Sequence, residues 1–332
     1  MKAMVLDHVG DVANSPLQLR DIPMPLPGPG DVLVKVHVCA VCRTDLHVIE
    51  GELADVKHPL VPGHQVVGTV AQVGAGVTEV RDGDRVGIAW LQRTCGICEF
   101  CTSERENLCL KARFTGYQVD GGYAEYAVVP ARFAYPIPPS FADDKAAPLL
   151  CAGIIGYRAL RLSGIKPGQR LGLYGFGASA HIAIQIARHW GCQVYVSSLK
   201  AEHQALAREL GAVWVGGAHD APPDKLQGSI IFAPAGELVP PALRALERGG
   251  TLALAGIHMS PIPSLDYDRD LFGERVLRSV TANTRQDGIE LLREAAAISI
   301  APHTVRFPLR EANQALQALK AGLFQGAAVL TI

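Results

Sequence analysis

From about residue 151 onward the chain alternates short apolar runs with stretches of helical periodicity, and few folds bury such a pattern. CAGIIGYRALRLS (151–163) reads as a helix, LGLY (171–174) as a short buried strand, and the segment after GFGASA as a helix through Trp190. QVYVS (193–197) is the next strand and 201–210 the next helix. SIIFA (229–233), a helix near 239–247 and TLALAG (251–256) continue the series. Strands alternating with helices of this length predict a parallel sheet with helices on both faces, a doubly wound arrangement. Upstream the period changes. Residues 31–38 (DVLVKVHV) alternate apolar and polar, as a half-buried strand does. Residues 66–73 and 84–89 read alike, set apart by Gly74, Gly76 and Gly83. Proline and glycine crowd 23–30 (PMPLPGPG), which fits turns and an irregular entry. From about Arg285 two helices and a terminal strand (AAVLTI) follow. The 332 residues are enough for about two domains.

The run Gly175-Phe176-Gly177-Ala178-Ser179-Ala180 is a GxGxxA fingerprint. The pattern is weak alone, but here it follows a strand and opens a helix, the context that dinucleotide binding requires. Gly175 permits the tight turn, Gly177 lets a pyrophosphate approach the helix N-terminus, and Ala180 keeps the helix close to the strand. NAD-binding chains normally carry Asp or Glu at the end of the next strand, for the ribose 2′-hydroxyl. This chain has Ser197, Ser198 and Lys200 there and no acid. A 2′-phosphate is repelled by a carboxylate and attracted by a lysine, so NADP(H) is favoured over NAD(H).

Four cysteines, Cys95, Cys98, Cys101 and Cys109, lie in CGICEFCTSERENLC. Thiolates this close can converge on one tetrahedral ion, and Zn²⁺ suits four sulfurs with no redox role. A closed four-sulfur site leaves no position for a substrate, so this motif predicts a structural metal. The net charge is −1 with no basic block, which argues against a nucleic-acid surface. The N-terminus lacks a long apolar core and no segment is an uncharged apolar run of bilayer length. A cytoplasmic protein with no membrane partner is expected, and in a reducing compartment clustered cysteines favour metal over disulfides. Cys42, His64 and Cys151 are three more possible ligands. Two sulfurs and an imidazole leave a fourth position open, as in catalytic zinc, but their scattered spacing alone does not join them.

The segments CRTDLH (42–47), GHQVVG (63–68), DGGYAEY (120–126), APLLCAG (147–153) and GFGASA, with the four-cysteine run, occur in one order. Together they resemble the zinc-dependent alcohol dehydrogenases of the medium-chain dehydrogenase/reductase family, in the manner of bacterial members related to cinnamyl- and yeast-type enzymes. The likeness covers essentially the whole chain. It implies a GroES-like, β-rich catalytic domain from residues 1–151 and 284–332, with a structural zinc lobe at 93–111. A Rossmann domain would occupy 152–283. It also implies roles. Cys42, His64 and Cys151 would bind a catalytic zinc, making two zincs per chain. Asp45 would hold the second nitrogen of His64, Thr44 would take the alcohol proton, and His47 would pass it to solvent. Arg43 would touch the cofactor pyrophosphate, and Trp90 would wall the substrate pocket. The implied activity is reversible hydride transfer between a small, primary alcohol or its aldehyde and a nicotinamide cofactor, in a homodimer or homotetramer.

One position departs from the pattern. The family has glutamate after the histidine ligand, and this chain has Gln65, isosteric but neutral. Two other readings are weighed. A zinc-independent quinone or enone reductase of the same fold would not need the three scattered ligands. A zinc-ribbon interaction module would explain only the four-cysteine run, whose flanks are mixed in sign and lack aromatics for base stacking. Outside the motifs, His37, His58, Cys39 and Cys192 are expected to pack, and Asp143 and Asp144 to serve as first-turn helix charge. His181, at the start of the helix after GFGASA, is expected either to approach the nicotinamide or to serve packing.

Overall fold

The computed structural model describes residues 1–218, 220–300 and 302–332. The chain divides into two compact units, residues 1–151 with 282–332, and residues 152–281. The return to the first unit thus comes at Ala282, two residues before the boundary at 284 expected from the sequence.

The first unit is built on an antiparallel sheet. The strand Asp31–Val41 is its centre, pairing with Gln65–Val73, Tyr126–Pro130 and Ala327–Thr331. Arg85–Ile88 and Ala134–Pro136 extend the sheet on one side, and Thr304–Pro308 on the other. Valines at 32, 34 and 36 point inward and are buried, which accounts for the alternation in the sequence. The last strand, Ala327–Thr331, sits beside the central strand, so the C-terminal tail completes the sheet of the N-terminal half. A hairpin of Lys2–Leu6 and Leu17–Asp21 lies apart from this sheet. Asp143 and Asp144 do more than charge a helix start. Asp143 accepts from Arg85 and pairs with His37 Nδ1 at 2.8 Å, while His37 Nε2 lies 3.0 Å from Thr69 Oγ1. Asp144 is buried and accepts from Thr304 Oγ1 at 3.0 Å and from Arg306 Nε at 3.2 Å.

The second unit holds a parallel sheet of six strands among the described residues. In spatial order they are Trp214–Gly216, Gln193–Ser197, Arg170–Tyr174, Leu226–Ile231, Leu246–Leu254 and Val276–Ser279. Numbered along the chain within the unit, that order is 3-2-1-4-5-6, the dinucleotide-binding topology, whose ligand crevice lies where the order reverses. The reversal falls between Arg170–Tyr174 and Leu226–Ile231. The fifth strand starts five residues earlier than its apolar run. Leu246 already pairs with Leu226, and the register then jumps until Thr251 pairs with Gly228. Gly249, at φ 74°, supplies the left-handed turn that this bulge needs. The short outer strands 214–216 and 276–279 were not legible, being brief and partly exposed.

One buried charge braces this second unit. Asp270 accepts from Arg244 Nε at 2.8 Å, Arg269 Nε at 3.1 Å and the Asp266 N–H at 2.9 Å. Burial works against its charge, but the donors, Arg244 foremost, prevail and hold the carboxyl at about 2. Its stabilising contribution is therefore present above the ordinary carboxylate range and is lost as the pH falls through the folded value. Asp270→Asn should cost about 2 kcal/mol at neutral pH. The difference in urea midpoint between variant and wild type should narrow as the pH falls from about 4 towards 2.

Candidate functional site

Two strands bring the first two sulfur and nitrogen donors together. In the ladder between Asp31–Val41 and Gln65–Val73, Ala40 lies opposite Gln65. Just beyond that rung, Cys42 leaves one strand and His64 enters the other. Cys42 Sγ lies 3.3 Å from His64 Nε2. The third donor comes from the turn Ala147–Leu150, whose Leu150 packs on Gly87, where a Cβ would meet Leu150 Cδ1 at 2.7 Å. Cys151 Sγ then lies 3.9 Å from Cys42 Sγ. The ligand atoms of Cys42, His64 and Cys151 all fall within 4.8 Å of one another.

Cys42 caps the helix Arg43–Ile49, and its Sγ accepts from the Thr44 N–H at 3.3 Å. Asp45, in the first turn of that helix, returns a hydrogen bond by accepting from the Cys42 N–H at 2.9 Å. Its other oxygen lies 2.9 Å from His64 Nδ1. That contact fixes which nitrogen of the ring faces the cysteines, as a metal-ligating imidazole requires. His64 and Asp45 are 0% and 1% exposed. The donor set fits a zinc ion, and so does its electrostatics. Burial opposes a positive charge on His64, yet the charges of Asp45 and Cys42 raise it to about 10. The Cys42 thiol is pushed up, first by its contact with Cys151 and then by burial. Such a pocket favours a cation, and a divalent ion serves two thiolates better than one proton does.

The other expected residues of this unit lie close by. Thr44 is half-buried in the first turn, and Arg43 is exposed. His47 Nδ1 pairs with the Glu52 carboxylate, a partner that sequence reasoning missed. Trp90 stands edge-on to His64, with ring centroids 4.9 Å apart, and stacks on Phe114 and Tyr117 at 5.2 and 5.7 Å. Gln65 is buried, and its amide nitrogen has no hydrogen-bond partner.

The backbone before His64 depends on glycine. Gly63 has φ 94°, and a Cβ there would lie 2.3 Å from the Tyr123 ring. The segment 61–63 runs against 121–123, with Gly121, Gly122 and Tyr123 N–H groups donating to the carbonyls of Val61, Gly63 and Pro62. Tyr123 is another residue the sequence did not disclose. The glycine pair of DGGYAEY was visible, but not what it approaches, some sixty positions earlier.

Cys95, Cys98, Cys101 and Cys109 form a second donor cluster, again with ligand atoms within 4.8 Å of one another. Cys98 and Cys101 Sγ atoms are 3.5 Å apart, and the Cys95 N–H lies 3.5 Å from Cys109 Sγ. N–H groups of Ile97 and Cys98 hold the Cys95 thiol down to about 6. Within this lobe Glu106 is buried and accepts from both the N–H and Nε of Arg285, at 2.9 and 3.1 Å. That pair ties the lobe to the helix Arg285–Ala297.

In the second unit, Gly175 stands at φ 85°, where a Cβ would meet the Ala233 nitrogen at 2.9 Å. Its N–H donates to the Ser197 carbonyl at 2.8 Å, so the fingerprint and the end of the next strand touch. Gly177 caps the helix Ala178–His189, and a Cβ there would meet nothing within 4 Å. Packing does not demand glycine at 177; its absence of side chain leaves the helix N-terminus open to a ligand. Ala180 is fully buried. Ser197 and Ser198 are buried, whereas Lys200 is 60% exposed and lies 3.7 Å from Glu202. His181 Nδ1 lies 3.0 Å from the Ala178 carbonyl.

Comparison with known proteins bears on both units. Residues 28–139 match the alcohol dehydrogenase GroES-like domain, and 180–297 match the zinc-binding dehydrogenase domain. A probable alcohol dehydrogenase AdhA of Mycobacterium tuberculosis is 49% identical over all of this chain and 97% of its own length. An alcohol dehydrogenase of Geobacillus stearothermophilus is 36% identical, with full coverage of both chains. Among solved structures, a cobalt- and zinc-bound thermostable alcohol dehydrogenase of Pyrobaculum aerophilum superposes with a TM-score of 0.88 at 27% identity, covering 100% of this chain and 99% of that one.

The glycine at 63 yields a test. Gly63→Ala should destabilise the protein by about 3 kcal/mol, from the left-handed backbone and the overlap with Tyr123 together. Gly76→Ala, at φ 79° with no atom near its Cβ, should cost only about 1 kcal/mol in the same urea titration.

Proposed function

The chain belongs to the alcohol dehydrogenases of the medium-chain dehydrogenase/reductase family, and on that premise we propose a zinc-dependent enzyme that favours NADP(H) and interconverts primary alcohols and their aldehydes. The observation that carries this reading is the meeting of Cys42, His64 and Cys151 within 4.8 Å, with Asp45 behind the imidazole. Three donors with one position to spare are what catalytic zinc uses. The alternative of a zinc-independent reductase leaves that convergence without a purpose.

Cys42, His64 and Cys151 would hold a zinc ion that would supply Lewis acidity to the substrate oxygen, and a nicotinamide would supply the hydride chemistry. The chain's own residues do the rest. Cys42, His64 and Cys151 hold the metal, and Asp45 keeps the His64 ring in register. Thr44, in the first turn after Cys42, would accept the hydroxyl proton of the alcohol as it hands its own proton on towards His47. His47, one helical turn on, passes it to solvent, with Glu52 fixing its ring. Trp90, braced by Phe114 and Tyr117, forms a flat apolar wall beside His64 that favours unbranched or aromatic substrates. The four-cysteine lobe holds a second, structural zinc.

The cofactor preference rests on Ser197, Ser198 and Lys200. Gly175, Gly177 and Ala180 shape the pyrophosphate site, and Lys200 is the cation for a 2′-phosphate. All eight cysteines are unpaired, which supports a reducing, cytoplasmic setting. No described helix is long and apolar enough to cross a membrane. The exposed outer strand Val276–Ser279, with Tyr267 and Phe272 exposed just before it, supports assembly as a homo-oligomer.

Metal analysis should find two zinc ions per chain, and Cys42→Ser should hold one and lose alcohol oxidation. Full turnover by Cys42→Ser would remove the basis of this reading. Lys200→Ala should raise the NADPH KM at least about tenfold while leaving the NADH KM nearly unchanged, in line with loss of one charge-assisted contact. An equal rise for both cofactors would rule out a 2′-phosphate role for Lys200.

A further inference from the structure

The Asp45 carboxylate is buried, and no lysine or arginine among the described residues pairs with it. Its three recorded partners are the Cys42 N–H, His64 Nδ1 and the hydroxyl of Tyr123, which donates to Oδ2 at 3.2 Å. Tyr123 is itself fully buried. A buried tyrosine hydroxyl needs a partner, and among the described residues this carboxylate is the one it has.

The ring of Tyr123 is placed as tightly as its hydroxyl. It lies over Gly63, so closely that a single added carbon there would sit 2.3 Å from Cδ1. Its N–H donates to the Pro62 carbonyl at 3.0 Å. Tyr123 therefore touches both halves of the ligand pair. The backbone face of the ring fixes the residue before His64, and the hydroxyl fixes the carboxylate that holds His64 from behind. A carboxylate can rotate about its last bond, and two donors on Oδ2 leave Oδ1 directed at the imidazole.

We propose that Tyr123 is a positioning residue for the metal centre. Its hydroxyl locks the Asp45 carboxylate in the rotation that presents one oxygen to His64 and the other to the Cys42 backbone, and so sets how firmly the site holds its ion. This inference rests on reading Cys42, His64 and Cys151 as a zinc site. Partners of a ligating imidazole typically change metal affinity by 10–100-fold when removed. Tyr123 acts one step further out, so an effect near the lower end is expected.

The test measures zinc release rather than turnover. Wild type, Tyr123→Phe and Tyr135→Phe are loaded with zinc and challenged with a chromogenic chelator. Tyr135 is a buried tyrosine of the same unit whose hydroxyl is bonded to Asn283 and not to Asp45, and it controls for loss of a buried hydroxyl. Tyr123→Phe should release one of its two zincs about tenfold faster than wild type, and Tyr135→Phe should not. Cobalt at the same site should show shifted or broadened visible bands in Tyr123→Phe alone. In an Asp45→Ala background the Tyr123→Phe effect should vanish, because the hydroxyl has lost its acceptor. Unchanged zinc release and an unchanged cobalt spectrum in Tyr123→Phe would overturn the assignment, as would an effect that persists in Asp45→Ala. If instead Cys42→Ser holds as much zinc as wild type, the metal reading itself fails. The two failures are thereby distinguishable.

Discussion

A buried carboxylate that must be hydrogen-bonded on every side organises the first unit. Among the described residues Asp45 has no lysine or arginine beside it, so its charge is met by a backbone N–H, an imidazole and a phenol. Each of those donors belongs to a different stretch of chain, and each stretch must arrive in register. The helix that carries Asp45 begins at Cys42, so the carboxylate and the first sulfur are fixed by one turn. An ion pair with lysine or arginine would have satisfied the charge with fewer constraints. Donors from three separate stretches make the geometry of the cluster a condition of folding.

The sheet sets the distances from which that cluster is built. The rung between Ala40 and Gln65 brings two chain segments out at one end. A slip of one residue would turn both side-chain sets to the opposite face, so the valines buried along the central strand guard the register of the site. The third sulfur depends on Gly87, which gives Leu150 room to seat and thereby places Cys151. Core packing and ligand geometry are here the same contacts. The second unit works by other means. Its strand order and the turn at Gly175 create an open helix N-terminus.

Much of this was legible in the sequence, for identifiable reasons. Period-two alternation at 31–38 and strand–helix alternation after 151 follow from burial on one face or two, and both left strong patterns. Clustered cysteines at 95–109 are local, so spacing alone brings them together. Strands 214–216 and 276–279 were not visible, because three or four partly exposed residues carry no period. The partners of the candidate site residues were also hidden. Glu52 beside His47, Glu106 beneath Arg285 and Tyr123 against Asp45 are ordinary residue types in unremarkable company. Asp143 does stand in the first turn of a helix, and what the sequence did not disclose is that it lies between His37 and Arg85, contributed by two different strands.

What the amino-acid sequence determined by itself was chemistry that is local in the chain: the glycine-rich turn between strand and helix, the missing acid at the second strand's end, the four-sulfur lobe, and the family to which their order belongs. Tertiary structure decided everything that rests on proximity between distant segments. Cys42, His64 and Cys151 form a candidate site only because a ladder register and a glycine-seated turn bring them within reach. Tyr123 became part of that site only because Gly63 and Gly121 let two backbones cross without side chains between them. The physical reason is that hydrogen bonds and coordination act over about 3 Å, whereas residue spacing constrains distance only over a few neighbours.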